Sequence, residues 1–321
     1  MEIKKLDRYL TYLNPTNLAK ERRIFFKALK RGEKYNPKFE YKQRHFDKKR
    51  MLKDINLLEN HQGRYQVIIK KAGKRYRIIY NMLNRNFTSN TKLLFREPTR
   101  EEIKSAREIL RGVKRKRANK YCSAEEVAQK LKSHANKYGW DVMTGRSLSK
   151  MKTLPGKRKL VISENVEFSH EELRRLRWHE IETHIRREYN NRRLPKGVRN
   201  FFNYIETEEG LAVKMEEKHG CKEQLPVYAA RLIAVDAAQN SSFYEVYKKI
   251  RKWMHEEAAF MITARAKRGL RDTSKPGGLT RDKIYLSGKI KVERYLRKGN
   301  MKDLFLGKIG VENVKFVKSI L

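Results

Sequence analysis

His179-Glu180-Ile181-Glu182-Thr183-His184 decides how this chain is read, and Thr207-Glu208-Glu209-Gly210-Leu211-Ala212 completes it. Two neutral imidazoles, one carboxylate and an open position are what a catalytic zinc ion requires. A glutamate beside the first histidine can take a proton from the attacking water. The chain therefore reads first as a metallopeptidase holding one Zn2+ ion. His179 and His184 are the nitrogen ligands, Glu208 and Glu209 compete for the third position, and Glu180 is the general base. The histidine spacing is wider than usual. The common zinc motif sets its histidines four apart, on one helical face, whereas these are five apart. On a regular helix, five steps leave the rings roughly 140° apart, too divergent to share one ion. A local i→i+5 turn reunites them, and such bulges favour functional sites. The spacing thus predicts a π-type turn between His179 and His184.

The flanking sequence supports this placement. Ser169-His170-Glu171-Glu172 is a capping box that starts the histidine helix. Leu173, Leu176, Ile181 and Ile185 supply its buried face, and a second helix from about Ile205 to Met215 carries the paired acids. Short strand-like runs at Trp140–Met143 and Lys159–Ile162, punctuated by Gly145, Pro155 and Gly156, predict a small antiparallel sheet. By analogy with other zinc peptidases, its edge would lie beside the metal. Upstream, Thr99-Arg100-Glu101-Glu102 and Ser123-Ala124-Glu125-Glu126 open two more capped helices. Tyr65–Ile69 and Tyr76–Tyr80, rich in β-branched and aromatic residues around Ala72-Gly73, predict a hairpin near 65–80. The fold class expected is α+β but predominantly α-helical. A mostly helical region over 1–138 precedes a catalytic region over 139–321, the two forming one compact unit.

Composition narrows the class further. The net charge is +40, with 36% charged and 39% hydrophobic residues. Such a charge attracts polyanions, whether nucleic acid or acidic polypeptide. Its densest run is Lys114-Arg115-Lys116-Arg117. Cys122 and Cys221 are the only cysteines, which excludes a disulfide framework. No apolar signal core follows Glu2, and no apolar run approaches the ~20 residues that cross a bilayer. A cytoplasmic protein without a membrane partner is expected. The remaining histidines, His45, His61, His134, His170, His219 and His255, have no comparable partners in sequence and read as surface or packing residues.

HEIETH followed by Arg187 and Asn190 resembles the HEIxTHxxRxxN block of the microtubule-associated tyrosine carboxypeptidase family and its bacterial relatives. TEEGLA resembles that family's second block. Arg265-Ala266-Lys267-Arg268-Gly269 resembles its RVxRG element, with lysine where relatives often have cysteine. Leu279 to Gly288 resembles its FTKDxxYLxG element, and Asn36-Pro37-Lys38-Phe39-Glu40-Tyr41 its NPxFxY. The blocks stand in family order across most of the chain. The resemblance implies a single-zinc peptidase, mostly helical, with a small sheet over the active site. Characterised eukaryotic members remove a carboxy-terminal tyrosine from the acidic tail of α-tubulin. Carried over to this chain, His179, His184 and a glutamate of Thr207-Glu208-Glu209 bind zinc, and Glu180 is the base. Aminopeptidases with an NEGFA segment bind zinc through the glutamate directly before glycine. Glu209-Gly210-Leu211-Ala212 resembles that arrangement, which favours Glu209 and leaves Glu208 to orient a ligand.

The chemistry expected is peptide hydrolysis, with a peptide or protein substrate that suits an acidic tail. Tyr285 is the candidate donor to the developing oxyanion, with Arg268 the second choice. A carboxypeptidase must also neutralise a terminal carboxylate, which arginine does through its two-pronged geometry. Arg265 and Arg268, then Arg187, are the candidates, and Asp282 is the structural carboxylate that competes for them. Two other classes remain in view: a nucleic-acid- or ribosome-associated basic protein, and a catalytically inactive binder of acidic peptides.

Overall fold

A computed structural model of the chain describes residues 10–42, 47–84, 86–113, 121–146, 150–164 and 166–321. The basic run Lys114–Arg117 and His45 lie outside them. The chain divides into two compact units, each assembled from separated stretches: Met1–Val113 with Leu225–Ser287, and Lys114–Gln224 with Gly288–Leu321. Among the described residues, no helix is long and apolar enough to cross a membrane.

The first unit is helical. The helix Leu225–Ala238 is apolar on nearly all sides, as a central helix must be, and packs against the helices Arg100–Arg111, Phe243–Ile250 and Glu256–Ala266. Phe25, from the helix Leu18–Lys30, sits among Phe243, Tyr247 and Phe260 with ring centroids 4.8–5.2 Å away. The Asn36–Tyr41 segment is an extended strap. Asn36 Oδ1 accepts from the Tyr244 amide, Phe39 is buried, and the Tyr41 hydroxyl donates to the Leu270 carbonyl.

The expected hairpin near 65–80 is absent. A helix, Gln66–Asn84, occupies that stretch. Ile68, Ile69, Ala72, Tyr76, Ile79, Met82 and Leu83 are buried along it at helical spacing. The strand preference of its β-branched and aromatic residues yields to that buried face. Gly73 marks close helix packing instead of a turn. A Cβ there would come within 2.8 Å of Glu59 Cγ and 2.9 Å of Glu59 N, on the helix Lys48–Glu59.

The second unit carries the sheet. Strands β1 (Tyr121–Cys122) and β5 (Phe168–Ser169) pair antiparallel. Strands β2 (Asp141–Gly145), β3 (Met151–Leu154) and β4 (Lys159–Ser163) form a second sheet in the order β2-β4-β3. Its pairing is mixed, not wholly antiparallel as expected. β3 runs antiparallel to β4, but β2 runs parallel to it, because the helix-free β3 return is inserted between them in sequence. The helix Ala124–Asn136 covers this sheet, and Val127, Leu131, Trp140, Val142, Leu160, Ile162 and Phe168 form one core with Leu176, Ile181 and Ile185. That core fixes one side of the histidine segment, which leaves the opposite side to the site. The three capping boxes expected at Thr99, Ser123 and Ser169 are formed, and Ser242 with Glu245 forms another.

Candidate metal centre

The widened turn expected from the histidine spacing is present. Residues Arg177–Ile185 are π-helical, between the helices His170–Leu176 and Arg186–Asn190. The Thr183 hydroxyl donates to the Trp178 carbonyl, five residues back, at 2.8 Å, so a carbonyl of the loosened turn gains a partner. The bulge brings His179 and His184 together with ring centroids 4.9 Å apart.

The helix Ile205–Lys218 packs against this turn and supplies the acids. The same helix also meets the segment at Gly288, and that approach is close because both partners at the crossing are glycines. A Cβ on Gly210 would fall on the backbone of Gly288, and one on Gly288 would fall on the Glu206 carbonyl. Glu209 Oε2 lies 3.5 Å from His179 Nε2 and 3.7 Å from His184 Nε2. One donor atom from each of the three residues lies within 4.8 Å of the others. Zinc bonds of about 2.0–2.1 Å in tetrahedral array separate their donors by roughly 3.4 Å, so this set fits the ion.

The outward ring nitrogens are occupied. His179 Nδ1 donates to Glu216 Oε1 at 2.7 Å, and Arg175 Nη1 donates to the same oxygen at 3.1 Å. His184 Nδ1 lies 3.4 Å from Glu208 Oε2. An ionised carboxylate can only accept, so each Nδ1 carries the proton and each Nε2 keeps its lone pair when the ring is neutral. Glu208 thus faces the back of His184, whereas Glu209 faces the ligand side of both rings.

Charge around the centre follows from these contacts. Burial opposes a charged His179, but hydrogen bonds to Glu209 and Glu216 and the charges of Glu216 and Glu180 push it up to about 10. His184 is raised by Glu209 and Glu208 against the pull of burial and of His179. Burial alone would raise Glu208, yet Lys308, His184 and Arg187 hold it far below the usual carboxylate range. Such perturbation concentrates where a fold has gathered groups for chemistry. A divalent cation would replace the protons that these rings otherwise retain.

Arg187 and Asn190 tie the C-terminal segment to the site. Arg187 is fully buried, and it donates to the Gly307 carbonyl at 3.0 Å and the Ile309 carbonyl at 2.6 Å. Asn190 donates to the Phe305 carbonyl at 2.7 Å, and Asn191 Oδ1 accepts from the Lys308 amide at 3.0 Å. Lys308 Nζ then reaches Glu208 Oε1 at 3.2 Å. Arg187 is therefore inside the fold, not at a surface where substrate arrives. Glu216, Arg175 and Lys308 were not anticipated from sequence. Glu216 had a usable signal, because it stands two helical turns after Glu209 and shares its face. Lys308 had none.

A family model described as microtubule-associated tyrosine carboxypeptidase matches residues 24–321. This chain belongs to the microtubule-associated tyrosine carboxypeptidase family. The microtubule-associated tyrosine carboxypeptidase 1 of Mus musculus is 26% identical over 318 residues, covering 95% of this chain and 61% of the relative. The protein of that name from Rattus norvegicus gives the same figures. The one from Homo sapiens is 30% identical over 152 residues, 44% of this chain and 31% of the relative. The chain spans 56% to 61% of the length of the curated mouse relatives that it matches almost end to end.

The segments Asn36–Tyr41, Arg265–Gly269 and Leu279–Ser287 lie in the first unit. Arg265 donates through Nε and Nη2 to Asp282, and Arg268 Nη2 donates to Asp282 Oδ1 at 3.1 Å. Tyr285 is stacked on Tyr228, with centroids 4.9 Å apart and planes 2° apart. Lys267 is buried and donates to the carbonyls of Ser241 at 2.5 Å and Lys275 at 2.7 Å.

Proposed function

We propose that the chain is a zinc-dependent peptidase of the carboxypeptidase type, with His179, His184 and Glu209 as the metal ligands. The observation that carries this reading is the convergence of two Nε2 atoms and one carboxylate oxygen, made possible by the π turn. When bound, zinc would supply an acidified water and polarise the scissile carbonyl. Glu180, directly after the first ligand, takes the proton of the attacking water and passes it to the leaving amine. Glu216 and Glu208 hold the two rings by their Nδ1 atoms, so that both Nε2 lone pairs stay aimed at one point. Arg175 and Lys308 neutralise those carboxylates. Arg187 is assigned to this supporting shell, in place of the substrate contact that sequence suggested. Arg265 and Arg268, the sequence-based candidates for a terminal carboxylate, are bonded to Asp282, and Tyr285, the sequence-based oxyanion candidate, is stacked on Tyr228.

The relatives' name concerns a tyrosine at a protein's carboxyl end, and the net charge of +40 suits an acidic chain around such an end. The substrate proposed is accordingly a protein or peptide with an acidic carboxy-terminal tail. Glu180→Gln separates chemistry from binding. It should retain zinc while losing hydrolysis of carboxy-terminal residues by at least about a hundredfold, measured by mass spectrometry of peptide ends. Full activity in that variant would remove Glu180 from the mechanism.

A further inference from the structure

A π turn is a rare, less favourable form of helix and persists only where its surroundings hold it. In the segment Arg177–Ile185, Ile181 and Ile185 are held by the core of the second unit. The start of the segment is held by Trp178. Its indole lies face to face with the His219 imidazole, with ring centroids 3.3 Å apart and planes 8° apart. The Arg177 guanidinium stands 4.8 Å from the same indole, and a cation at that distance adds to the attraction. The Trp178 carbonyl is also the one that accepts from Thr183, so ring and backbone of this residue both bear on the widened turn.

His219 stands at the C-terminal cap of the helix Ile205–Lys218, which carries Glu208, Glu209 and Glu216. Its amide donates to the carbonyls of Met215 at 3.2 Å and Glu216 at 3.1 Å, and its Nδ1 lies 2.8 Å from the Met215 carbonyl. A carbonyl only accepts, so Nδ1 carries a proton, and the direction of the ring is set by the last turn of its own helix. The stack therefore joins the start of the histidine segment to the end of the acid-bearing helix. Beside it runs the bond between His179 and Glu216, since Trp178 precedes His179 and Glu216 shares a helical face with His219. The two contacts differ in kind. Protons and metal compete at His179, so the strength of its polar bonds changes when an ion arrives. Stacked rings are held by shape and dispersion, which the ion leaves alone.

We propose that the Trp178–His219 stack is a positioning clamp for the metal site. It holds the start of the π turn against the end of the acid-bearing helix, so that His179 and Glu209 face one another with or without an ion. Both residues act through the ligands and touch no reacting atom. The inference rests on the zinc reading for the identity of the ion.

Hydrogen exchange and zinc competition on the full chain test it together. In the chain stripped of metal by chelator, exchange over residues 177–185, read by mass spectrometry, should quicken by at least about threefold in Trp178→Ala and His219→Ala. Trp178→Phe and His219→Phe should recover much of the protection, because each restores a ring to the stack. Exchange in the helix Ala124–Asn136 should stay at the wild-type rate, which separates a local clamp from a general loss of stability. With zinc as the probe, both alanine variants should bind about tenfold more weakly in chelator competition. Unchanged exchange over 177–185 in Trp178→Ala, or an equal quickening in the helix Ala124–Asn136, would overturn the proposal. So would a His219→Phe variant no better protected than His219→Ala, or wild-type zinc affinity in both alanine variants. A wild type that takes up no zinc strikes the zinc reading, and exchange in the metal-free chain still decides whether the clamp exists.

Discussion

His179 Nδ1 and Glu216 Oε1 are 2.7 Å apart, and both groups are buried. The carboxylate fixes the ring's tautomer and direction, and Arg175 fixes the carboxylate. Removing such a partner typically weakens metal binding by about 10–100-fold. Glu216→Ala should therefore lower zinc affinity by that order in chelator competition, while Glu216→Asp or Glu216→Gln retains part of it. Unchanged affinity in Glu216→Ala would reduce the contact to packing.

Lys308 and Glu208 make a second prediction. Glu208 is buried, and Lys308 is nearly so, with its ammonium also 3.5 Å from Glu188. Burial works against the Lys308 charge, but Glu208, Tyr204 and Glu188 push its pKa up. Lys308→Met leaves Glu208 with Arg187 and His184 only. Unfolding in denaturant should show a loss of about 3–5 kcal/mol. A loss below about 1 kcal/mol would place the pair among surface-type ion pairs of little consequence.

Much of the centre was legible because its cause is local. The five-residue gap between His179 and His184 demands a wider turn, and the π segment Arg177–Ile185 supplies it. Capping boxes at Thr99, Ser123 and Ser169 were legible for the same reason, as each is decided within four residues. The stretch 65–80 misled because β-branched and aromatic residues favour strands only where a sheet is there to receive them. There the receiving surface is the helix Lys48–Glu59, met at Gly73. Lys308 was invisible because it reaches Glu208 across 100 positions of sequence. Its placement depends on Arg187 and Asn190 gripping the backbone of Phe305, Gly307 and Ile309.

Gly210 and Gly288 carry a third prediction. Each lies where a side chain would meet backbone on the other side of the crossing. Gly210→Ala ought to raise helix propensity slightly, by about 1 kcal/mol if the site were open. The backbone clash should reverse that sign and destabilise by about 1–3 kcal/mol or more, with zinc affinity falling as Glu209 is displaced. A higher melting temperature with intact metal binding would contradict the close packing.

Acid stability gives a fourth, centred on Glu102. Burial pushes its carboxyl up, but hydrogen bonds from Arg96 and the Thr99 amide, with the charges of Lys283 and Arg96, bring it from 4.5 down to about 2. A carboxyl depressed in the folded state stabilises fully above its unfolded value. That contribution disappears as pH falls from about 4.5 toward 2. It is worth roughly 2–3 kcal/mol, with the exposed side of Arg96 allowed for. Glu102→Gln should lower stability at pH 7 by that order and flatten the fall between pH 5 and pH 2 in urea titrations. An unchanged acid limb would assign the dependence to other carboxylates.

Elemental analysis of the purified chain tests the central claim most directly. The wild type should hold one zinc ion per chain, Glu180→Gln should hold the same, and His179→Ala, His184→Ala and Glu209→Ala should each hold little or none. A wild type that takes up no zinc from buffered solution, or ligand variants that bind as much as it does, would contradict a site built on those three side chains.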